Sequence, residues 1–164
     1  MITKTQSYFL DYPAEAKVWI FMAERSLTQV ESDVANSYLT QFVPQWKAHG
    51  DALKAGYELI DNQFIVVAVD ETPAAASGCS IDSMTRIIKE IEQKTGVTFT
   101  DRMLIGYREN ETIQTEKLPN FKAKVKSGEI GPETIIYNNS VTRLNDFWDS
   151  WEQPLQNSWA KNWI

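Results

Sequence analysis

Hydrophobic positions in the first half of the chain follow a strand pattern and then a helical one. Residues 17–22 are mostly β-branched or aromatic, which predicts a strand buried on both faces. Thr28 and Glu31 have the spacing of a capping box, which predicts the start of a helix. Pro44 should kink or end this helix, and Gly50 suits the left-handed position past its end. The apolar face of the helix contains Val30, Val34, Tyr38, Leu39, Phe42, Val43 and Trp46.

The middle of the chain continues as a hairpin, a second helix and a fourth strand. Residues 53–60 alternate, residues 63–69 are almost wholly apolar, and the short polar turn between them predicts an antiparallel pair. A second amphipathic helix begins at Ser80 and ends before Gly96, and residues 103–107 form the fourth strand. The order βαββαβ predicts an α+β fold of the ferredoxin-like type, with both helices on one face of an antiparallel sheet.

The last third of the chain is expected to extend this core within one domain. We assign residues 1–164 to a single domain, with a core over about residues 15–109 and an extension over about residues 110–164. The pattern predicts a short helix at residues 118–126 and an edge strand at residues 134–137. The tryptophans of the extension should lie on helical segments that cover the open face of the sheet, or they could form a stripe that binds a partner. These tryptophans are Trp148, Trp151, Trp159 and Trp163.

The composition is that of a globular protein and argues against several classes of partner. Hydrophobic residues make up 43% of the chain and charged residues 23%, which is the balance of a folded domain. The formal net charge of -6 argues against a concentrated basic surface, so no nucleic-acid partner is expected. The first residues lack the apolar run of a secretory signal, and residues 64–69 are too short a run to span a bilayer. We therefore expect a cytoplasmic protein that does not bind membranes.

Common motifs for metals and nucleotides are missing from the sequence. Its one cysteine and one histidine cannot form an intramolecular disulfide or a usual structural zinc site, so no metal is expected. The chain contains neither G-x-x-x-x-G-K-[ST] nor G-x-G-x-x-G, the glycine-rich loops that bind nucleotide phosphates. The sequence therefore predicts no cofactor and argues against a P-loop ATPase.

The predicted topology brings several chemically capable side chains to one edge of the sheet. In a ferredoxin-like unit, the loops after the first helix, the third strand and the fourth strand lie at the same end. His49 follows the first helix, Asp70, Glu71 and Cys79 follow the third strand, and Arg108 follows the fourth. We call this predicted site the loop edge. Arg108 could belong to it or could be a simple surface counter-charge.

Cys79 is the most distinctive residue of the loop edge. It lies where the second helix begins, and the free backbone N–H groups of a helix start can stabilise a thiolate. Cys79 could then be a nucleophile, with His49 as its base and Asp70 or Glu71 orienting the imidazole. The alternative is that Cys79 is a small residue that packs in a tight loop.

The loop before the second helix offers further groups that could bind a ligand. The loop groups at Ser77, Gly78, Ser80 and Asp82 could bind an anion at the free N–H groups of the helix start, or Ser80 or Asp82 could simply cap the helix. Asp70 and Glu71 could act as acid and base, or as oxygen ligands for a hard cation. Alternatively, one of these carboxylates caps the loop while the other is solvated.

Residues 42–50 contain the signature W-x-A-H-G, residues 76–82 contain S-G-C-S-I-D, and residues 64–71 form the run F-I-V-V-A-V-D-E. Together these segments resemble a family of small uncharacterised Bacteroidetes proteins, some of which are labelled ABC transporter ATPase. The resemblance extends over nearly the whole chain, including the tryptophan-rich tail. It implies no particular activity.

Two hypotheses for the function remain open. The preferred one is a noncatalytic domain that binds a small ligand or a protein partner at the loop edge carrying His49, Asp70 and Cys79. The other is a thiol-dependent hydrolase or transferase in which Cys79 is the nucleophile and His49 the base. In that enzyme the N–H groups of residues 77–80 would form an oxyanion hole. The sequence does not predict the oligomeric state.

Overall fold

The computed structural model describes residues 5–164, in which helices are combined with antiparallel sheets. The strands are β1 (Lys17–Met22), β2 (Lys47–Ala48), β3 (Asp51–Ala52), β4 (Lys54–Ile60), β5 (Phe64–Asp70), β6 (Leu104–Glu109), β7 (Thr112–Lys117), β8 (Ile135–Tyr137) and β9 (Glu152–Pro154). The helices are α1 (Gln29–Phe42), α2 (Gly78–Thr95), α3 (Leu118–Lys126) and α4 (Leu144–Ser150). Within this part of the chain, no helix is both long and apolar enough to cross a membrane.

β5 is the centre of the first sheet, whose strand order is β1-β5-β4 with antiparallel pairs throughout. All seven of its residues are buried, as the continuous apolar run predicted. Asp61 and Asn62 join β4 to β5, and their φ values of 53° and 52° are both positive, as a two-residue type I′ turn requires. The predicted hairpin is therefore confirmed.

Helix α1 begins as its capping box predicted. The Glu31 N–H donates to Thr28 Oγ1 at 3.2 Å, and the Thr28 N–H donates to Glu31 Oε1 at 2.9 Å. The helix ends before Pro44, also as predicted. Gly50 does not terminate it, however, because His49 and Gly50 both have positive φ and form the turn between β2 and β3. The chain can turn into this small hairpin because Pro44 has already stopped the helix.

Each face of the first sheet is covered by a different layer, because successive residues of a strand point to opposite faces. The core on the helical side includes Phe21, Ala35, Leu39, Ile65, Val67, Met84, Ile88 and Ile91. The core on the other side includes Val18, Ile20, Phe64, Val66, Leu144, Phe147 and Trp151. Helices α1 and α2 therefore share one face, as predicted, and α4 with its neighbouring residues covers the other.

The predicted fourth strand forms, but it belongs to a second sheet. β6 pairs with β7 and β8, in the order β7-β6-β8-β9, rather than with β1. The prediction of one four-stranded ferredoxin-like sheet is wrong in this respect. Asn110 and Glu111, with φ values of 51° and 69°, join β6 to β7 in a tight hairpin. Pairing β6 with β7 costs little loop entropy because the two strands are close in sequence. This hairpin crosses the boundary that was predicted at about residue 110 between the core and the extension.

The C-terminal extension is less helical than predicted. α3 and β8 form at the predicted positions, but the residues after α4 form the edge strand β9, which pairs with β8 and tolerates a proline. Trp151 packs on Phe64 with ring centroids 4.8 Å apart. Trp159 and Trp163 instead pack on Phe121 of α3. Only part of the tryptophan-rich tail therefore covers the first sheet.

Candidate functional site

A reciprocal pair of serines holds the loop before α2. The Ser80 N–H donates to Ser77 Oγ at 3.1 Å, and the Ser77 N–H donates to Ser80 Oγ at 2.7 Å. The Ser80 hydroxyl donates in turn to the Ser77 carbonyl oxygen at 2.8 Å. Helix α2 consequently begins at Gly78, earlier than the predicted start at Ser80. Both hydroxyls are thus engaged in capping the helix, but the N-cap is Ser77 rather than Ser80 or Asp82 as expected from the sequence.

Trp46 joins this helix start to the segment after α1. Its side chain is buried, and its Nε1 donates to the Ser80 carbonyl oxygen at 2.8 Å. The indole also packs against Trp19 and Phe42, with ring centroids 6.0 and 5.2 Å apart. The start of α2 is therefore held by contacts with other elements as well as by its own cap. The apolar pattern predicted the burial of Trp46 but gave no sign of this hydrogen bond.

Asp70 ends β5 and stabilises the turn that follows. Its Oδ1 accepts from the Thr72 hydroxyl at 2.6 Å and from the Thr72 N–H at 3.0 Å. Its Oδ2 lies 3.2 Å from Nζ of Lys54, the residue opposite it on β4. The hydrogen bonds from Thr72, with the Lys54 ammonium, hold the pKa of Asp70 below its usual value. Asp70 is therefore ionised at neutral pH and engaged in local structure.

Glu71 closes the same loop through different partners. Its Oε2 accepts from the Ala76 N–H at 2.9 Å and lies 3.5 Å from Lys17 Nζ. Its Oε1 lies 3.7 Å from Arg143 Nη1. Because Asp70 and Glu71 have separate partners, they do not form a paired acid and base. Among the residues that the structure describes, no group of three His, Cys, Asp or Glu side chains could hold a metal ion.

Cys79 and His49 are both exposed, and no hydrogen bond joins them. Cys79 lies in the first turn of α2 beside Gly78, which is also exposed. His49 lies in the turn between β2 and β3. Within residues 5–164, neither side chain makes a hydrogen bond, so the Cys79–His49–Asp70 chain of a thiol enzyme is not assembled in this structure.

Arg108 lies on β6, away from the loop edge. Its Nη2 is 3.5 Å from Asp61 Oδ2 and 3.6 Å from Glu152 Oε2, and its guanidinium carbon is 5.9 Å from the centre of the Tyr137 ring. Asp61 precedes β5, so Arg108 lies at the opposite end of that strand from the loop edge. The prediction that Arg108 joins the loop edge is wrong, because β6 belongs to the second sheet.

A cleft of about 420 Å³ lies between β1 and the segments at residues 99–105 and 137–142. Its lining combines apolar residues with amides and hydroxyls, a mixture common in ligand sites. Residues that line it include Trp19, Leu104, Asn139, Ser140, Val141 and Trp159. The sequence pattern did not predict this cleft, because the cleft lies where the fourth strand was expected.

β1 presents part of a free edge to this cleft. At one end of the strand, the Val18 N–H donates to the Thr142 carbonyl oxygen at 3.1 Å. Beyond the other end, the Glu24 N–H donates to the Thr98 carbonyl oxygen at 3.0 Å. The protein's own backbone therefore pairs with the edge of β1 at Val18 and just beyond its end at Glu24. Between these two residues, the edge of β1 borders the cleft.

Backbone groups on this stretch of β1 lack backbone partners. The Ile20 carbonyl accepts from Arg102 Nη1 at 3.1 Å. In the part of the chain that the structure describes, no residue across the cleft accepts a hydrogen bond from the N–H of Ile20 or Met22. Both residues are nevertheless buried, at 2% and 6% exposure. Both residues line the cleft, so these two donors are free to bond to water or to a ligand there.

No protein-family model, curated protein or solved structure matches this chain. The carboxylates and serine hydroxyls of the loop edge bond to nearby backbone groups, to the Thr72 hydroxyl or to lysine and arginine side chains. The cleft, in contrast, is bordered by backbone donors from which no described residue accepts a hydrogen bond.

Proposed function

We propose that this protein is a noncatalytic binding protein whose ligand occupies the cleft beside β1. The observation that carries the proposal is the pair of N–H groups at Ile20 and Met22, which border about 420 Å³ of space and from which no described residue accepts a hydrogen bond. A ligand with acceptors at the spacing of these two groups would bond to both of them. The volume is within the range of ligand pockets, roughly 300–1,000 Å³.

The loop edge supports binding less well than the cleft does. Asp70, Glu71, Ser77 and Ser80 already have partners, so a ligand there would compete with existing hydrogen bonds. The binding function expected from the sequence is therefore kept, and the proposed site moves from the loop edge to the cleft.

We also infer that the first sheet with α1 and α2 is an incomplete ferredoxin-like unit. In a complete unit, the fourth strand pairs with the first strand on the side away from the third. The cleft lies on that side of β1, and β6 pairs elsewhere. The lack of a fourth strand beside β1 would explain why this strand has an open edge.

An NMR fragment screen tests the location of the site. The full chain, labelled with nitrogen-15, is titrated with a library of small carboxamides and carboxylates, and the amide shifts are assigned to residues. We expect the fragments that bind to shift the signals of Ile20, Met22 and Ser140, because these residues border the cleft. Shifts confined to residues 70–80 would instead place the site at the loop edge.

A cavity-filling variant gives the matched control for this screen. Ser140 is exposed and lines the cleft, so Ser140→Trp should fill part of the cleft and abolish the shifts. Ser37→Trp makes the same change at an exposed serine of α1 and should leave binding unchanged. Equal binding by the two variants would show that the fragments lie outside the cleft.

A thiol-dependent enzyme is the alternative, and the exposure of Cys79 favours it. An accessible thiol in the first turn of a helix can be reactive. Because His49 does not bond to Cys79, we expect iodoacetamide to alkylate the native protein with the same pH dependence before and after His49→Ala. The rate of carbamidomethylation, followed by mass spectrometry from neutral to alkaline pH, gives this comparison. The enzyme would be supported instead if the alkylation rate rose at a lower pH than for a free thiol and His49→Ala removed this difference.

A further inference from the structure

We propose that the occupant of the cleft is a short, extended, apolar peptide segment that pairs with the free edge of β1 as an added strand. This inference rests on the proposed function, since it names the ligand of the same cleft. Such a peptide differs from a compact small molecule because its backbone would make most of the hydrogen bonds to β1.

The hydrogen-bond pattern of β1 defines which backbone groups are available. In an antiparallel ladder, alternate residues direct their N–H and C=O groups towards a given neighbour. The Val18 N–H is bonded to Thr142, so Val18, Ile20 and Met22 direct their backbone groups away from β5. Within residues 5–164, Arg102 bonds the Ile20 carbonyl, and no residue pairs with the Val18 carbonyl or with the N–H of Ile20 and Met22. An extended peptide presents acceptors and donors at the spacing that these groups require.

The length of the open edge limits the length of the added strand. Thr142 already pairs with Val18 at one end of the open edge, and Thr98 already pairs with Glu24 at the other end. The stretch from Trp19 to residue 23 lies between these two anchors. At about 3.3 Å per residue, it spans roughly 13 Å, which is room for about three or four residues of a partner strand.

The two sides of the cleft are consistent with an apolar segment. Successive side chains of an added strand would point to opposite faces of the first sheet. On one face they would approach Leu104 and Val141, and on the other Trp19 and Phe99, all of which line the cleft. Asp101, the acidic group in the lining, already forms an ion pair with Lys117. Arg102, the basic group in the lining, donates to the Ile20 carbonyl oxygen and must move aside for an added strand, so the apolar residues on both faces carry the choice of an apolar segment.

A random peptide library displayed on phage and panned against the full chain tests this inference. We expect enrichment of apolar peptides that protect the amide hydrogens of Ile20 and Met22 from exchange. N-methylation of a peptide amide that pairs with β1 should weaken binding by about tenfold, the loss expected for one buried hydrogen bond. Ser140→Trp should abolish binding of the selected peptide, whereas Ser37→Trp should not.

The outcomes separate this inference from the proposed function. If fragments bind in the cleft but no enriched peptide does, the inference fails and the proposed function stands. Peptides that bind there but tolerate N-methylation at every amide would also overturn strand addition. If neither fragments nor peptides bind at the cleft, both the proposed function and this inference fail.

Discussion

Replacement of Trp151 by alanine is expected to lower the free energy of unfolding by about 4 kcal/mol, the usual cost of deleting a large buried aromatic side chain. Trp151 is 1% exposed and packs against Phe64, Tyr137 and Phe147 with ring centroids 4.8–5.0 Å apart. Its Nε1 also donates to Asn139 Oδ1 at 2.9 Å. The substitution would leave a cavity between the first sheet and the layer that covers it. Urea denaturation followed by circular dichroism measures the change.

Trp159→Ala is the matched control, because it removes the same side chain from the same C-terminal segment. Trp159 is 43% exposed, and its ring packs on Phe121 and Trp163 rather than on an aromatic ring of the first sheet. We expect a loss of about 1 kcal/mol, as for many partly exposed positions. Similar losses in the two variants would mean that the tail does not cover the first sheet as described.

Trp46→Phe is expected to lower the free energy of unfolding by about 2 kcal/mol, because the Ser80 carbonyl oxygen loses a buried donor. The ring stays apolar, so most packing against Trp19 and Phe42 is retained. The local effect should be largest at the start of α2. Amide hydrogen exchange of residues 77–82 should become faster in the variant, and this measurement separates a local effect from general destabilisation.

The corresponding control is Trp19→Phe. Trp19 is partly buried beside Trp46, and within the described residues its indole N–H makes no hydrogen bond. We expect this substitution to lower the free energy of unfolding by about 1 kcal/mol, because only packing is lost. If this control costs as much as Trp46→Phe, the bond to Ser80 does not hold the helix start.

Most elements of the fold could be predicted because their causes are local. The capping box of Thr28 and Glu31, the stop at Pro44 and the turn at Asp61 and Asn62 each depend on residues within a few positions of one another. The continuous apolar run of β5 likewise marked a fully buried strand.

The position of β6 could not be predicted in the same way. Its apolar pattern is compatible with a place beside β1 and with a place in a second sheet. The choice depends on the turn at Asn110 and Glu111 and on pairing between Tyr107 and Ile136. The cleft depends on that choice, so no local signal in the sequence could reveal it.

The candidate residues of the loop edge were identified by chemical type, and the structure shows how most of them are used. Ser77 and Ser80 cap α2, and Asp70 and Glu71 bond to nearby backbone groups. These roles follow from helix and turn chemistry, which a single sequence cannot distinguish from ligand binding. Arg108 was misplaced because its predicted position inherited the error in β6.

Amide hydrogen exchange along β1 in the free protein tests the central claim most directly. We expect the N–H groups of Ile20 and Met22 to exchange orders of magnitude faster than those of Trp19 and Phe21, which face β5 in the first sheet. Such alternation would show an open strand edge at the cleft. Uniform protection of all four amides would mean that another part of the chain already pairs with β1, and the proposed site would not exist.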